Sequence, residues 1–402
     1  MIEPETSGKV NTGRLMTSAC AGMFVFGIVM AILGAILPGL FARVGFDKGA
    51  AGNLFLYMNF AMLLMSLFFG PIVDRFGFKI LLVVSSLLVA GAFLLLSFSS
   101  TYGLILIAAV ILGFGGGGLN GGTNTLTSDI HEPEKRGSAM NVLGIFFGFG
   151  ALTIPFLIGV LVELLGLGRI LLLAAFLSLV PFALFLLFKF PGGKQAQGFP
   201  LREAARIGRN PLLWLCGFLL FFQSGNEFTI GGWISTYLQE SFKIKPAAAA
   251  LVLAGYWAAI MAGRLVSSRL VRVFRNERLV LASAGLSLVA AVLLRSAPSG
   301  ALAAFAAILI GLGFAAIYPT TLAVVGESFA AFSGTAFSAV IAMSLCGGML
   351  SPWLAGKIAQ TSGLRQGLFL PVLNCAMIVM LQLVIMSVAK KRKTGDLEER
   401  SR

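Results

Sequence analysis

Apolar residues in this chain are gathered into windows of about 19–29 residues, each closed by charges or turn residues. A helix of some 20 apolar residues crosses a bilayer, and in lipid the backbone must satisfy its own polar groups, so such windows read as membrane-spanning helices. Twelve are found, near 15–41, 49–72, 79–99, 103–128, 137–162, 169–189, 211–239, 247–269, 279–297, 300–326, 331–356 and 366–389. The uncharged run Ile80–Ser128 is too long for one crossing, and the turn-forming Ser97–Gly103 divides it.

Composition agrees. The chain is 58% hydrophobic and 11% charged, with mean hydropathy +0.94, where a soluble domain carries about a quarter charged residues. The net charge of +14 does not point to nucleic acid, because the basic residues fall in short clusters between apolar runs. With both termini inside a cytoplasmic (inner) membrane, 22 of the 30 Lys and Arg lie on the cytoplasmic side. Cys20, Cys216, Cys346 and Cys375 sit in apolar segments without CxxC pairing, so neither a disulfide framework nor a metal site is indicated. The first window is too long for a cleaved signal peptide and is kept as a span.

The expected organisation is an N-terminal six-helix bundle (1–188), a cytoplasmic linker (189–210), a C-terminal six-helix bundle (211–390) and a charged tail (391–402). Within the linker, Pro200 and the following Leu-Arg-Glu-Ala-Ala-Arg-Ile-Gly-Arg read as a short basic amphipathic helix. The halves are related at an offset of 197 residues: 123–159 slides without gaps onto 320–356, matching Thr123 with Thr320, Ala139 with Ala336, Gly150 with Gly347, Pro155 with Pro352 and Gly159 with Gly356. Duplicated halves around a central site describe an alternating-access carrier.

Glu227 is the one charge between Pro211 and Gln239. A carboxylate at that depth costs several kcal/mol unless it faces a protein interior or a wet cavity, which marks it as functional. Gln223 and Asn226 share its helix face at i, i+3, i+4 spacing, with Trp233 further along. The fourth span carries Asn120 and Asn124 one turn apart, and the tenth carries Tyr318, Pro319, Thr320 and Thr321. Amides bind hydroxyls in both directions and an indole face covers the C–H face of a sugar ring, so this set, with Trp257, suits an uncharged polyhydroxylated ligand. The glycine run Gly115–Gly118 reads as close helix packing, since it lies in an apolar span and lacks the P-loop lysine. His131 is the sole histidine and sits among acids in a loop, too little for a metal cluster.

The loop Gly70-Pro71-Ile72-Val73-Asp74-Arg75-Phe76-Gly77-Phe78-Lys79 resembles the G-x-x-x-D-R-x-G-R-K signature of the major facilitator superfamily, with Phe78 in place of the usual Arg. The matching loop of the second half keeps only Gly263-Arg264 and a basic run. The resemblance implies an all-α membrane fold of twelve helices in two pseudo-symmetric bundles. It also implies a cavity lined by spans 1, 4, 7 and 10, and a gating role for Asp74, Arg75, Lys79 and Arg264. Ser224 through Tyr237 is similar to the seventh helix of the fucose–galactose–glucose symporter family, which includes sodium-dependent glucose carriers. Ser138–Gly144 is similar to that family's Asn-x-Leu-Gly stretch, which makes Asn141 a sugar-contacting candidate.

The resemblance therefore implies secondary active import of a hexose coupled to H+ or Na+. Proton-driven members carry acids on spans 1 and 4, which here have none within their apolar windows; Glu227 is then left to carry the proton, or with Asn226 to ligate Na+. No enzyme activity or cofactor is expected, and the carrier is expected to work as a monomer. An exporter, an organic-anion or drug carrier, and a non-transporting receptor remain as alternatives. An anionic substrate would want an intramembrane base, for which only Arg264 comes close.

Overall fold

A computed structural model describes residues 11–191, 208–271, 273–329 and 333–400. Its elements are α1 (Thr12–Val44), α2 (Lys48–Phe98), α3 (Tyr102–Ile130), α4 (Pro133–Leu187), α5 (Pro211–Phe242), α6 (Pro246–Leu270), α7 (Asn276–Ser296), α8 (Gly300–Ser328), α9 (Ser333–Ser362), the short α10 (Leu364–Gly367) and α11 (Phe369–Arg400). No strand occurs among the described residues. Most of the linker, including residues 200–207 of the expected amphipathic helix, lies outside the described residues.

Two of these helices are far longer than a bilayer is thick. At 1.5 Å per residue the 51 residues of α2 and the 55 of α4 would each reach about 80 Å. Each is two crossings joined at one non-helical glycine: Gly77 at φ 78°, ψ 168° and Gly166 at φ 73°, ψ 161°. That region of backbone space is open almost only to glycine, so the Gly77 of the signature loop is there to reverse the chain. Counting α2 and α4 twice gives the twelve spans.

Among the described residues nine helices are long and apolar enough to cross a membrane, and α5 is not one of them. Its polar centre, Gln223 to Glu227, lowers its hydropathy, yet every residue from Gln223 to Leu238 except Phe228 is buried. The reason is position: α5 packs on α6, α8, α9 and α11, so protein rather than lipid surrounds its polar face. Lipid-facing helices instead show rows of exposed Phe, Leu and Val, as along α4 and α7.

The chain divides into two compact units that do not coincide with the sequence halves. The first comprises Met1–Ile32, Ala61–Leu157 and Leu161–Gln197; the second takes Leu33–Phe60, Ile158–Val160 and Gly198–Arg402. The 197-residue repeat is physical in both. In the first unit a Cβ on Gly150 would collide with the carbonyl of Phe24; in the second, one on Gly347 would collide with the carbonyl of Phe221, 197 residues on from Phe24. The chain reversals repeat as well, for Gly166 has its mate in Gly363 (φ 85°, ψ 160°), which separates α9 from α10.

Candidate functional site

The second unit holds a polar cluster at the centre of α5. Glu227 is 9% exposed, while Gln223 and Asn226 are wholly buried. Tyr256 of α6 donates to the Glu227 backbone carbonyl at 3.3 Å, which fixes α6 against this part of α5. Asn226 donates through Nδ2 to Cys375 Sγ of α11 at 3.2 Å, leaving its Oδ1 without a hydrogen bond. The Gln223 amide lies near enough to act on the Glu227 carboxylate, but neither of its polar atoms attains hydrogen-bond geometry. A buried primary amide without a well-formed hydrogen bond is costly, and it is what a site suited to hydroxyl groups would show.

A second strand of the cluster crosses to α8 and α9. Ser224 Oγ and Ser344 Oγ are 2.6 Å apart, and Ser344 donates in turn to the Tyr318 hydroxyl at 3.4 Å. Arg264 of α6, which the resemblance makes a gating residue, acts electrostatically on Glu227, Tyr256 and Tyr318 alike. The preceding Gly263 packs α6 against Leu312 and Ala315 of α8, one turn before Tyr318. Arg264 thus belongs electrostatically with the acid.

The two tryptophans expected to cover a sugar ring are both buried in helix packing. Trp233 is 0% exposed, donates from Nε1 to the Pro352 carbonyl at 3.0 Å and packs beside Phe55 with ring centroids 5.9 Å apart. Its indole offers no open face here. Trp257 is 4% exposed and lies over Gly231, where a Cβ would stand 3.2 Å from Cζ2. Neither Tyr256 nor Ser344 was singled out from sequence; each is an ordinary polar residue in an apolar helix, and only the packing shows that it meets α5.

In the first unit Asn120 and Asn124 are half-buried and linked: Asn124 Nδ2 donates to the Asn120 carbonyl at 2.8 Å and to its Oδ1 at 2.9 Å. Asn141 is exposed on α4. Of the signature loop, Lys79 Nζ donates to the Leu186 carbonyl at 2.7 Å and so caps the end of α4. Arg75 stands 5.2 Å from the ring of Phe76, and Asp74 is half-buried. No group of three or more metal-ligating side chains occurs among the described residues. A cavity of about 300 Å³ lined by Phe41, Phe46, Asp47, Lys48, Glu240 and Gln360 lies in the second unit, roughly 20 Å along α5 from Glu227.

Known proteins share this architecture. The chain is 22% identical over 95% of its length to the glucose/galactose transporter of Brucella abortus (strain 2308), covering 97% of that protein. It is 31% identical over 42% of its length to the 4-hydroxybenzoate transporter PcaK of Pseudomonas aeruginosa, covering 38% of it. The crystal structure of a D-xylose-proton symporter superposes with a TM-score of 0.75 at 14% identity, covering 93% of this chain and 97% of that one, a likeness of fold. The profile of the Major Facilitator Superfamily matches residues 19–226 and again 213–401. With twelve spans, the repeat and these matches together, the chain belongs to the Major Facilitator Superfamily and is a membrane transporter.

Proposed function

We propose that this transporter imports a small hydroxyl-rich neutral solute, a hexose, across the cytoplasmic membrane, working as a monomer with H+ or Na+ as the coupling ion. The observation that carries the reading is the spare hydrogen-bonding capacity around Glu227: neither polar atom of Gln223, nor Oδ1 of Asn226, makes a well-formed hydrogen bond. Tyr318 and the Ser224–Ser344 pair extend the same surface. The glucose/galactose transporter among the relatives supports the choice of hexose. Glu227 takes the coupling role because a carboxylate at this depth has to change its charge or its counter-ion when the carrier moves without cargo. Asn120, Asn124 and Asn141 are the contribution of the first six spans, and Asp74, Arg75 and Lys79 act in gating.

Arg264 favours a second reading, an organic anion as substrate. A guanidinium acting on the site acid would meet a substrate carboxylate once Glu227 is neutral. Uptake into proteoliposomes of D-glucose and of a monocarboxylate, under separately imposed H+ and Na+ gradients, decides between the two. Glu227→Gln is expected to abolish accumulation against a gradient while leaving the protein folded. Concentrative uptake at the parental rate by that variant would refute the coupling role.

A further inference from the structure

At the end of the second unit that carries the α1–α2 and α5–α6 turns, helix backbones come into direct contact at a set of glycines. Gly34 of α1 faces Gly231 of α5 so closely that a Cβ on Gly34 would fall on the Gly231 carbonyl. These residues are 197 positions apart, so each touches its own repeat mate. Equivalent residues meet in this way only on the axis that relates their helices.

Matched contacts flank this point. On one side α2 lies on α9: a Cβ on Gly52 would stand 2.9 Å from the Trp353 carbonyl oxygen, and one on Gly356 would stand 2.7 Å from the Lys48 carbonyl oxygen and 3.0 Å from Gly52 Cα. On the other side Gly159, the repeat mate of Gly356, brings α4 onto α6, where a Cβ would stand 2.5 Å from Leu251 Cγ and 3.1 Å from the Ala247 carbonyl oxygen. Polar contacts accompany the first flank: Lys48 Nζ to Glu240 at 3.0 Å, Gln360 Nε2 donating to Asp47 at 3.0 Å, and Trp353 Nε1 donating to Asn53 at 3.1 Å. The mates of Lys48 and Glu240 are Lys245 and Arg43, two like charges that cannot form the equivalent pair.

We propose that the glycine seam holds this end of the unit shut, and that the ion pair and amide bonds beside it only set the register of one flank. Magnitudes favour the seam. The side chains of Lys48 and Glu240 are 27% and 41% exposed, and a pair so open to solvent contributes little after screening. Close backbone approach through small residues is, by contrast, a main source of helix association in lipid.

The test needs no substrate. Spin labels are placed on cysteines replacing the exposed Ala42 and Ser241, at the ends of α1 and α5, with the four native cysteines replaced, and the distance is read by pulsed electron resonance in nanodiscs. Gly356→Ala is expected to shift the population from a short to a longer distance, and Gly52→Ala, whose Cβ would stand 2.9 Å from the Trp353 carbonyl oxygen and 3.3 Å from its Cα, serves as the second variant should the first fail to fold. Glu240→Gln is expected to leave the short distance in place. An unchanged distance in a folded seam variant, or a shift of equal size in Glu240→Gln, would overturn the proposal.

Discussion

Replacing Trp233 with phenylalanine separates packing from ligand contact at the residue whose sequence context most suggests a sugar platform. The indole is fully buried, bonded at 3.0 Å to the Pro352 carbonyl and wedged beside Phe55 and Gly356. Phenylalanine removes the N–H, and a helix-to-helix hydrogen bond in a membrane contributes about 0.6 kcal/mol on average. It also leaves a space of a few tens of Å³, which at ~24 cal/mol per Å³ adds about 1 kcal/mol. The sum, roughly 1.5–2 kcal/mol, lowers the folded-to-unfolded ratio by about 10- to 30-fold. Thermal unfolding in detergent should therefore shift downward, while the KM for D-glucose in proteoliposomes stays within twofold of the parent. A tenfold rise in KM at unchanged stability would refute the reasoning and return Trp233 to the substrate path.

Two further outcomes follow from other parts of the fold. Gly166→Ala and Gly363→Ala should each cost about 1–3 kcal/mol by thermal unfolding, since both glycines hold strongly positive φ and neither has a neighbour within 4 Å of an added Cβ, so the whole cost is backbone strain. Asp74→Asn should slow net transport while leaving equilibrium ligand binding near the parental level, and equal losses in both assays would remove Asp74 from gating.

Span count and bilayer residence were legible in the chain itself, because lipid offers the backbone no partner and forces most crossings to declare themselves as apolar windows, α5 being the exception that protein shields. The signature from Gly70 to Lys79 and the 197-residue repeat were legible for a related reason: the reversal at Gly77 lies in backbone space that favours glycine, and duplicated packing needs the same small residue at the same depth, as at Gly150 and Gly347. The burial of Glu227 inside protein was legible because a charge facing lipid has no cheap explanation. Periodicity could not tell which neighbours a helix meets. That Arg264 acts on Glu227, that Ser344 links Ser224 to Tyr318, and that Trp233 is enclosed by Pro352 and Phe55 all depend on how α6, α8 and α9 rotate against α5. In helices apolar on every face, no hydrophobic stripe records that rotation in the sequence; close packing between glycines and carbonyls sets it, and this becomes visible only when the helices are in place.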